Sequence, residues 1–405
     1  MIPLKSIRLS SLATILFFFN SILFVYSSAA QVHLTIKGAV YDAESKGSLP
    51  FASINLKNKF KGTVANSGGE FSFIIPEKHT MDTLEISFIG YEKTEILIDT
   101  ISQSLSVGLL TSNYTISEVV LTPLQPIDYI KLAVKNMPVN FPKSSYVTEA
   151  YFSNEITVNK EKLSHEESFF NSYHHSKNDS IDHQLILHKK NEINQEEMAV
   201  FYEETSIDLG GQFNSPDFIL ERGKTNTNEQ DIFLDSLNFN RFEYRFSPKE
   251  TPGYHTILFK SIKRIFHMEL SGLILIERGS YAIASINYEA FIKIPLKIRP
   301  LLFLSGYGIE NPKVKSNRSY RKINEVWYLD FIEIEAYIEI EKKKLFKPNK
   351  QFNAMFYQVF NVNNTLIENI QPLTKEKIFD PAKNFEAQIY NDHKLKWREI
   401  NTLNQ

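Results

Sequence analysis

The chain has 405 residues, 42% of them apolar and 23% charged. It can bury a sizeable core, and it is too apolar to be disordered throughout. At roughly 100–200 residues per domain, two or three domains are expected. There are 45 Lys and Arg against 47 Asp and Glu, a formal net charge of −2. Binding through overall basicity is therefore excluded, and no nucleic-acid partner is expected. Cysteine is absent. That excludes disulfides, thiolate zinc sites, iron–sulfur clusters, cysteine nucleophiles and a lipidated N-terminal cysteine.

Residues 1–30 carry Lys5 and Arg8 and no acidic residue. An apolar run over 12–26 is broken only by Thr14, Asn20 and Ser21, and Ser28-Ala29-Ala30 follows. This order of charge, apolar run and small residues predicts a signal peptide, with Gln31 as the new N-terminus. The run is short for the roughly 20 residues of a membrane span. No later segment approaches 18 uninterrupted apolar residues, so no transmembrane helix is expected after cleavage. The expected location is exported: periplasmic, outer-membrane-associated or at the cell surface.

Over 31–122, short alternating runs recur between turn signals. They fall at 33–40, 51–56, 69–74, 84–89 and 94–98. Such spacing predicts a small antiparallel β-sandwich. Gly62 and Gly90 stand at strand ends, where glycine permits turn conformations that other residues resist.

The motifs fall in an ordered series. Gly38-x-Val40-x-Asp42 leads into Leu49-Pro50-x-Ala52-x-Ile54-x-Leu56, then Gly62-Thr63 and Gly69-x-Phe71-x-Phe73. Leu84-x-Ile86-Ser87-x-Ile89-Gly90-Tyr91 follows, and 105–110 and 116–121 close the series. The series resembles the carboxypeptidase-like regulatory domain of exported proteins of Bacteroidetes-type bacteria. It is also similar to the module ahead of the plug in many TonB-dependent outer-membrane transporters. Asn66-Ser67 stands where Asp often precedes the glycine turn. The resemblance implies a transthyretin-like sandwich with a scaffold or docking role, and it carries no catalytic residue across.

Pro123, Pro126, Pro138 and Pro142 mark a linker over 123–144. Within it, 127–137 has helical spacing, with Ile127, Ile130 and Val134 on one face beside Leu132 and Ala133, and Pro138 is expected to end the helix. The segment from Ala133 to Phe152 resembles part of a group of uncharacterised exported bacterial proteins, which implies no activity.

From 145 to 405 a β-rich domain with a polar tail is expected. Strands are predicted at 146–158, 163–172, 239–246, 256–262, 273–278, 282–291, 325–340 and 352–362. A polar loop is predicted over 177–194 and a C-terminal helix or tail over 385–397. The region 198–211 is ambiguous and has some helical character, and 216–227 is ambiguous. In 332–341 isoleucines alternate with glutamates, the pattern of a sheet with one buried and one wet face. The stretch 272–288 resembles the hairpin cadence of bacterial lipoprotein-carrier half-barrels, whose wide curved sheet holds an apolar ligand. The expected fold is thus mainly β, a transthyretin-like sandwich followed by a larger antiparallel sheet, half-barrel-like in one reading, with few helices.

His174, His175 and His183, with Asp179, Asp182 and His188, form the only metal-like grouping. Their ligand types suit zinc or copper, but they repeat no known ligand spacing, and a solvated loop is the simpler account. There is no His-Glu-x-x-His, no Gly-x-Ser-x-Gly, no Gly-x-x-x-x-Gly-Lys and no Gly-x-Gly-x-x-Gly. Catalytic residues and cofactors are therefore not assigned. The glutamates of 332–341 could be paired acids for glycoside cleavage, but a wet strand face explains them more simply. Lys342, Lys343 and Lys344, with Lys347 and Lys350, suit either a solvated hairpin loop or contact with anionic lipid. Three functions compete: an envelope binding or scaffold protein with a protein partner, a carrier of an apolar ligand, and an enzyme whose site is assembled from distant residues.

Overall fold

The computed structural model describes residues 33–57, 61–76, 79–100, 104–112, 124–176, 180–205, 215–221, 231–249, 251–265, 267–297, 299–343, 348–391 and 395–397. The leader at 1–30, the run at 116–121, Pro123, Asp179, Lys344 and Lys347 lie outside them.

Seven strands form the N-terminal sandwich: β1 (His33–Asp42), β2 (Ser53–Leu56), β3 (Gly62–Val64), β4 (Glu70–Pro76), β5 (Thr83–Ser87), β6 (Thr94–Leu97) and β7 (Ser104–Leu109). One sheet has the order β4-β1-β7 and the other β3-β2-β5-β6. β1 runs antiparallel to β4 and parallel to β7. The alternation buries Ile36, Val40, Ile54, Phe73 and Leu84 between the sheets. Gly38 is required by space: a Cβ there would lie 2.3 Å from the Leu105 carbonyl oxygen and 2.7 Å from the Phe71 ring. Asp42 closes the following turn, its Oδ1 accepting from the Glu44 and Ser45 amides and its Oδ2 from the Tyr91 hydroxyl. The Tyr91 hydrogen bond and the turn amides pull the Asp42 carboxyl down to about 2.

Ten strands build the second sheet: β8 (Tyr146–Val158), β9 (Glu161–His174), β10 (Ile181–Glu192), β11 (Phe242–Phe246), β12 (Tyr254–Ser261), β13 (Met268–Glu277), β14 (Ile283–Ile292), β15 (Tyr307–Ile323), β16 (Val326–Lys342) and β17 (Lys350–Leu366). Their order is β10-β9-β8-β17-β16-β15-β14-β13-β12-β11, with antiparallel neighbours throughout. The protein is mostly β with few helices, two smaller sheets preceding the large one.

One face of the large sheet is apolar and covered. Phe152, Phe170, Phe259, Ile274, Ile332 and Phe360 lie on it. Helix α1 (Pro126–Asn140) packs Ile130, Ala133 and Met137 against them. Helix α2 (Gln195–Thr205) inserts Phe201 beside Phe352 and Ile340. Helix α3 (Asp217–Glu221) adds Ile219 and Leu220, and the segment before β11 adds Phe233 and Leu234. Gly272 lets the Phe259 ring lie on the sheet; a Cβ there would meet that ring at 2.8 Å and the Asn287 carbonyl oxygen at 2.2 Å.

The opposite face carries the sandwich at one end. Phe51 stacks on Phe331 at 4.9 Å between centroids, and Val64 packs with Phe331 and Val359. The Arg321 guanidinium pairs with Asp330 and donates to Asn55 Oδ1 at 2.7 Å. The C-terminal segment wraps the β10 edge. Its Phe379 and Tyr390 amides donate to the His183 and Leu185 carbonyls, Phe379 lies on the covered face, and Leu395 and Trp397 lie against Tyr151, Phe169 and Ile186 on the other. An open strand edge is thereby capped.

Four sequence expectations are corrected. The polar stretch 181–192 is strand β10, whose hydrophilic composition suits an edge. α1 runs through Pro138 to Asn140, because a proline in the last turn removes a single backbone hydrogen bond and lies on the exposed side. Of the two readings of 385–397, the helix is corrected: its described residues include a 3-10 turn at Glu386–Gln388 and no α-helix, with 392–394 outside the described residues. β15 was not legible at all. Pro312 sits where its pairing with β16 shifts register, and its covered-face positions include Ser316 and Arg318.

Arg318 is 2% exposed and forms an ion pair with Asp231 of the segment before β11. Burial lowers its pKa. Arg318→Ala would leave the Asp231 carboxylate without its cation, so urea unfolding should show a loss of about 3–5 kcal/mol. Combining Arg318→Met with Asp231→Leu should recover most of it. A single variant within about 1 kcal/mol of the parent would show that the pair does not hold this segment to the sheet.

Candidate functional site

The metal-like residues do not converge. On β9 and β10, His174 and His183 point to the covered face and His175 and Asp182 to the other, as strand alternation requires. His174 stacks on Tyr146 at 4.1 Å and meets the Thr148 hydroxyl at 3.0 Å. His175 contacts Asp182 at 2.7 Å. His183 lies between the Ser172 hydroxyl and Asp217, and His188 contacts Ser168 at 3.1 Å. Among the described residues no group of three or more His, Asp or Glu could hold a metal ion.

The aromatics of β11 and β12 are packing residues. Phe233 stacks on Phe259 at 4.1 Å, Phe242 packs edge-on to Phe259, and the Tyr244 hydroxyl donates to the Phe233 carbonyl. Phe233, Phe242 and Phe259 are buried in the core of the covered face.

The uncovered face carries a groove of about 810 Å³. Its floor is built from alternate residues of successive strands, Leu258 and Lys260, Ser271 and Leu273, Asn287 and Glu289, Lys315 and Asn317, and Glu333 and Glu335, ending at Tyr357. Register puts Tyr357 on β17 directly between Glu335 on β16 and Glu155 on β8. The Tyr357 hydroxyl donates to Glu333 Oε2 at 2.7 Å, and Asn317 Nδ2 approaches Glu333 Oε1 at 3.5 Å. Two cations meet this array: Lys315 lies 3.7 Å from Glu335, and Lys162 lies 2.5 Å from Glu155. Three carboxylates thus surround one phenol.

Burial pushes the Glu333 carboxyl above its usual range, and the neighbouring Glu335 adds to this, against the two hydrogen bonds and Lys315. Burial and then Glu333 push the Tyr357 hydroxyl up, so it stays a donor. On the adjoining strands, burial lowers the His165 imidazole, which meets the Ser153 hydroxyl at 3.1 Å, and the Tyr151 hydroxyl donates to Glu167. The Tyr357 ring also packs into the contact between sandwich and sheet. The groove therefore begins where the sandwich ends.

Sequence reading picked out the glutamates of β16 as a wet face. It missed Tyr357, Lys315, Asn317 and Glu155, since only the register of four strands brings them together. The one signal available was the polar half of each alternating strand.

Residues 36–121 match the family model described as the CarboxypepD_reg-like domain. No curated protein matches the chain. Among solved structures, it is similar to a "putative membrane-associated protein of unknown function" from Bacteroides fragilis. Identity is 11%, covering 84% of this chain and all of that one, at a TM-score of 0.17. It is also similar to lipovitellin at 7% identity, covering 58% of this chain and 26% of that one, at a TM-score of 0.26. The matched family is a regulatory-like domain with no catalytic assignment. No helix among the described residues is long and apolar enough to cross a membrane.

Because the folded state raises the Glu333 pKa above the usual 4.5, the unfolded chain binds fewer protons over that interval, and stability falls as pH rises through it. Glu333→Gln keeps an acceptor for Tyr357 and removes the buried charge. Its thermal midpoint should exceed the parent's at about pH 8, and the gain should shrink on acidification and vanish below about pH 4.5. A difference constant with pH would mean that burial of charge is not the cause.

Proposed function

We propose that the protein is a non-catalytic binding protein of the cell envelope, exported by its 1–30 leader, which holds a cationic segment of an envelope protein in the groove of the large sheet. The reading rests on one observation: Glu333 and Glu335 line the floor of a groove open to solvent beside Tyr357, with Glu155 paired to the far side of Tyr357 in the sheet. Like charges side by side on a sheet are unfavourable by themselves. Lys315 and Lys162 offset part of that repulsion; a cationic ligand group would relieve the rest, and long paired strands hold the carboxylates rigidly for it. The sandwich supports the role as a scaffold that bounds the groove at Phe331 and Val359.

Among the described residues, Phe233, Phe242 and Phe259 are packed in the core, which gives the carrier reading no support from them. The enzyme reading retains one favourable observation. Glu333, with its raised pKa, stands two residues from Glu335 on the same face, and a raised acid beside a second carboxylate is the arrangement used in glycoside hydrolysis.

The absence of cysteine makes a labelled site unique. Asn287→Cys places a thiol on the exposed groove floor for a bifunctional cross-linker. In fractionated cells the adduct should appear in the envelope fraction with one defined protein. Adding Glu333→Gln and Glu335→Gln should reduce its yield at least tenfold if two charge contacts of about 1 kcal/mol each are lost. Recovery from the cytoplasm, or capture that ignores the two carboxylates, would refute the proposal. Release of sugar from envelope glycans by the parent but not by Glu333→Gln would establish the enzyme instead.

A further inference from the structure

The end of the large sheet formed by the β12–β13, β14–β15 and β16–β17 connections carries a second feature, which shares no residue with the groove. In the β14–β15 connection, Leu296 is 78% exposed, and helix α4 (Arg299–Leu304) holds Leu301, Phe303 and Leu304 at 68%, 64% and 81% exposed. No residue of α4 is buried. Ile262 in the β12–β13 turn and Phe291 at the end of β14 extend the exposed apolar surface. Soluble monomers rarely leave that much contiguous apolar surface in water without a use for it.

The chain segment that carries the patch is cationic, while Glu269, Glu310 and Glu341 stand on the adjoining strands. From 293 to 306 there are three cations, Lys293, Lys297 and Arg299, and no acidic residue. Lys342 lies over the Tyr307 ring at 3.8 Å from its centroid, and Lys343 over the Phe303 ring at 5.0 Å. Both ammonium groups are thus placed beside the ring systems of the patch. Carboxylates are confined to the strand ends below it, where Glu269 meets Arg264 and Glu341 meets Lys343. The acidic residues of α2, Glu196, Glu197, Glu203 and Glu204, stand at the same end of the sheet on the β8–β17 side.

We propose that this end of the sheet docks on an anionic phospholipid surface. Leu296, Leu301, Phe303 and Leu304 enter the boundary between headgroups and acyl chains, and Lys297, Arg299 and Lys343 meet the lipid phosphates. Exposed apolar residues rimmed by cations suit that interface, since each group finds its own layer of it. A purely apolar partner would leave the cations without counter-charge, and a polyanion in water would leave the leucines exposed. The acidic α2 is repelled by the same surface, so the molecule should tilt onto the β12–β15 side. The inference is independent of what the groove binds.

The test uses protein expressed from its full sequence, leader included, and recovered in the form the cell makes. Its co-sedimentation is measured with phosphatidylglycerol–phosphatidylcholine vesicles and with phosphatidylcholine vesicles alone. Binding should require phosphatidylglycerol and weaken as salt rises. Lys297→Gln with Arg299→Gln should weaken it by about 25-fold, at roughly fivefold per cation near an anionic surface. Leu301→Ser with Leu304→Ser should weaken it at least about tenfold, as loss of two inserted side chains requires. All four positions are exposed, and an unchanged thermal midpoint should confirm that the fold is intact. No binding, equal binding to both vesicles, or binding insensitive to both double variants would overturn the proposal. Concentration-dependent self-association abolished by Leu301→Ser with Leu304→Ser would assign the patch to a second copy of the chain instead.

Discussion

The period of two along a β-strand is the constraint on which the rest depends. In β15, β16, β17 and β8, successive side chains go to opposite faces, one covered by α1, α2 and the segment before β11, the other open. A slip of one residue in β16 would drive Glu333 and Glu335 under the helices and put Ile332 and Ile334 into water. Burying two unpaired carboxylates is far more costly than any turn preference could offset. Register is therefore set by the covered face, and the composition of the groove follows from it. The carboxylates around Tyr357 need no local structure of their own; they are placed by the packing of the isoleucines behind them.

The same logic accounts for how the sandwich and the sheet meet. Phe331 and Val359 belong to the open face of β16 and β17, yet they are apolar, and they are covered by Phe51 and Val64. One residue pair further along the same face, the side chains become Glu333 and Tyr357. The change from apolar to acidic marks the limit of the contact. Arg321 secures that contact, pairing with Asp330 within the sheet and with Asn55 across it. Burial raises the Asp330 pKa against the pull of Arg321. Removing either partner would strand the other in a low-dielectric site. Tyr357 packs its ring into the contact and gives its hydroxyl to Glu333, so movement of the sandwich would be felt by the groove.

These relations explain what the sequence could and could not reveal. The sandwich was legible because each of its strands alternates cleanly and its turns carry glycine. β16 was legible for the same reason, from Ile332 and Glu333 onward. β15 was hidden because it buries Arg318 and Ser316 where an apolar residue would have signalled a strand, and because Pro312 marks a bulge that reads as a break. β10 was hidden by its place at the sheet edge. The histidines looked like a cluster because they are close in sequence, but alternation sends His175 to the opposite face from His174 and His183, and each meets its own separate partners. The array around Tyr357 is the converse case: Glu155 and Tyr357 are about two hundred residues apart in the chain and direct neighbours in the sheet. Nothing in one dimension encodes that adjacency, because β17 returns to pair with the first strand of the sheet.

A net charge of −2 conceals a division of sign. Carboxylates collect on the open face around Tyr357, and cations collect at one end of the strands around α4. At physiological ionic strength the screening length is about 8 Å, so charges separated by several strand residues scarcely influence one another. Each region therefore presents its own potential to its own surroundings. The sheet makes this possible because its strands are long: on β16, Glu335 and Lys342 are seven residues apart, roughly 23 Å at about 3.3 Å each. A small sandwich alone could not keep an acidic surface and a basic, apolar one so far apart. Long strands held in register can, and they do so by the same alternation that buries the core.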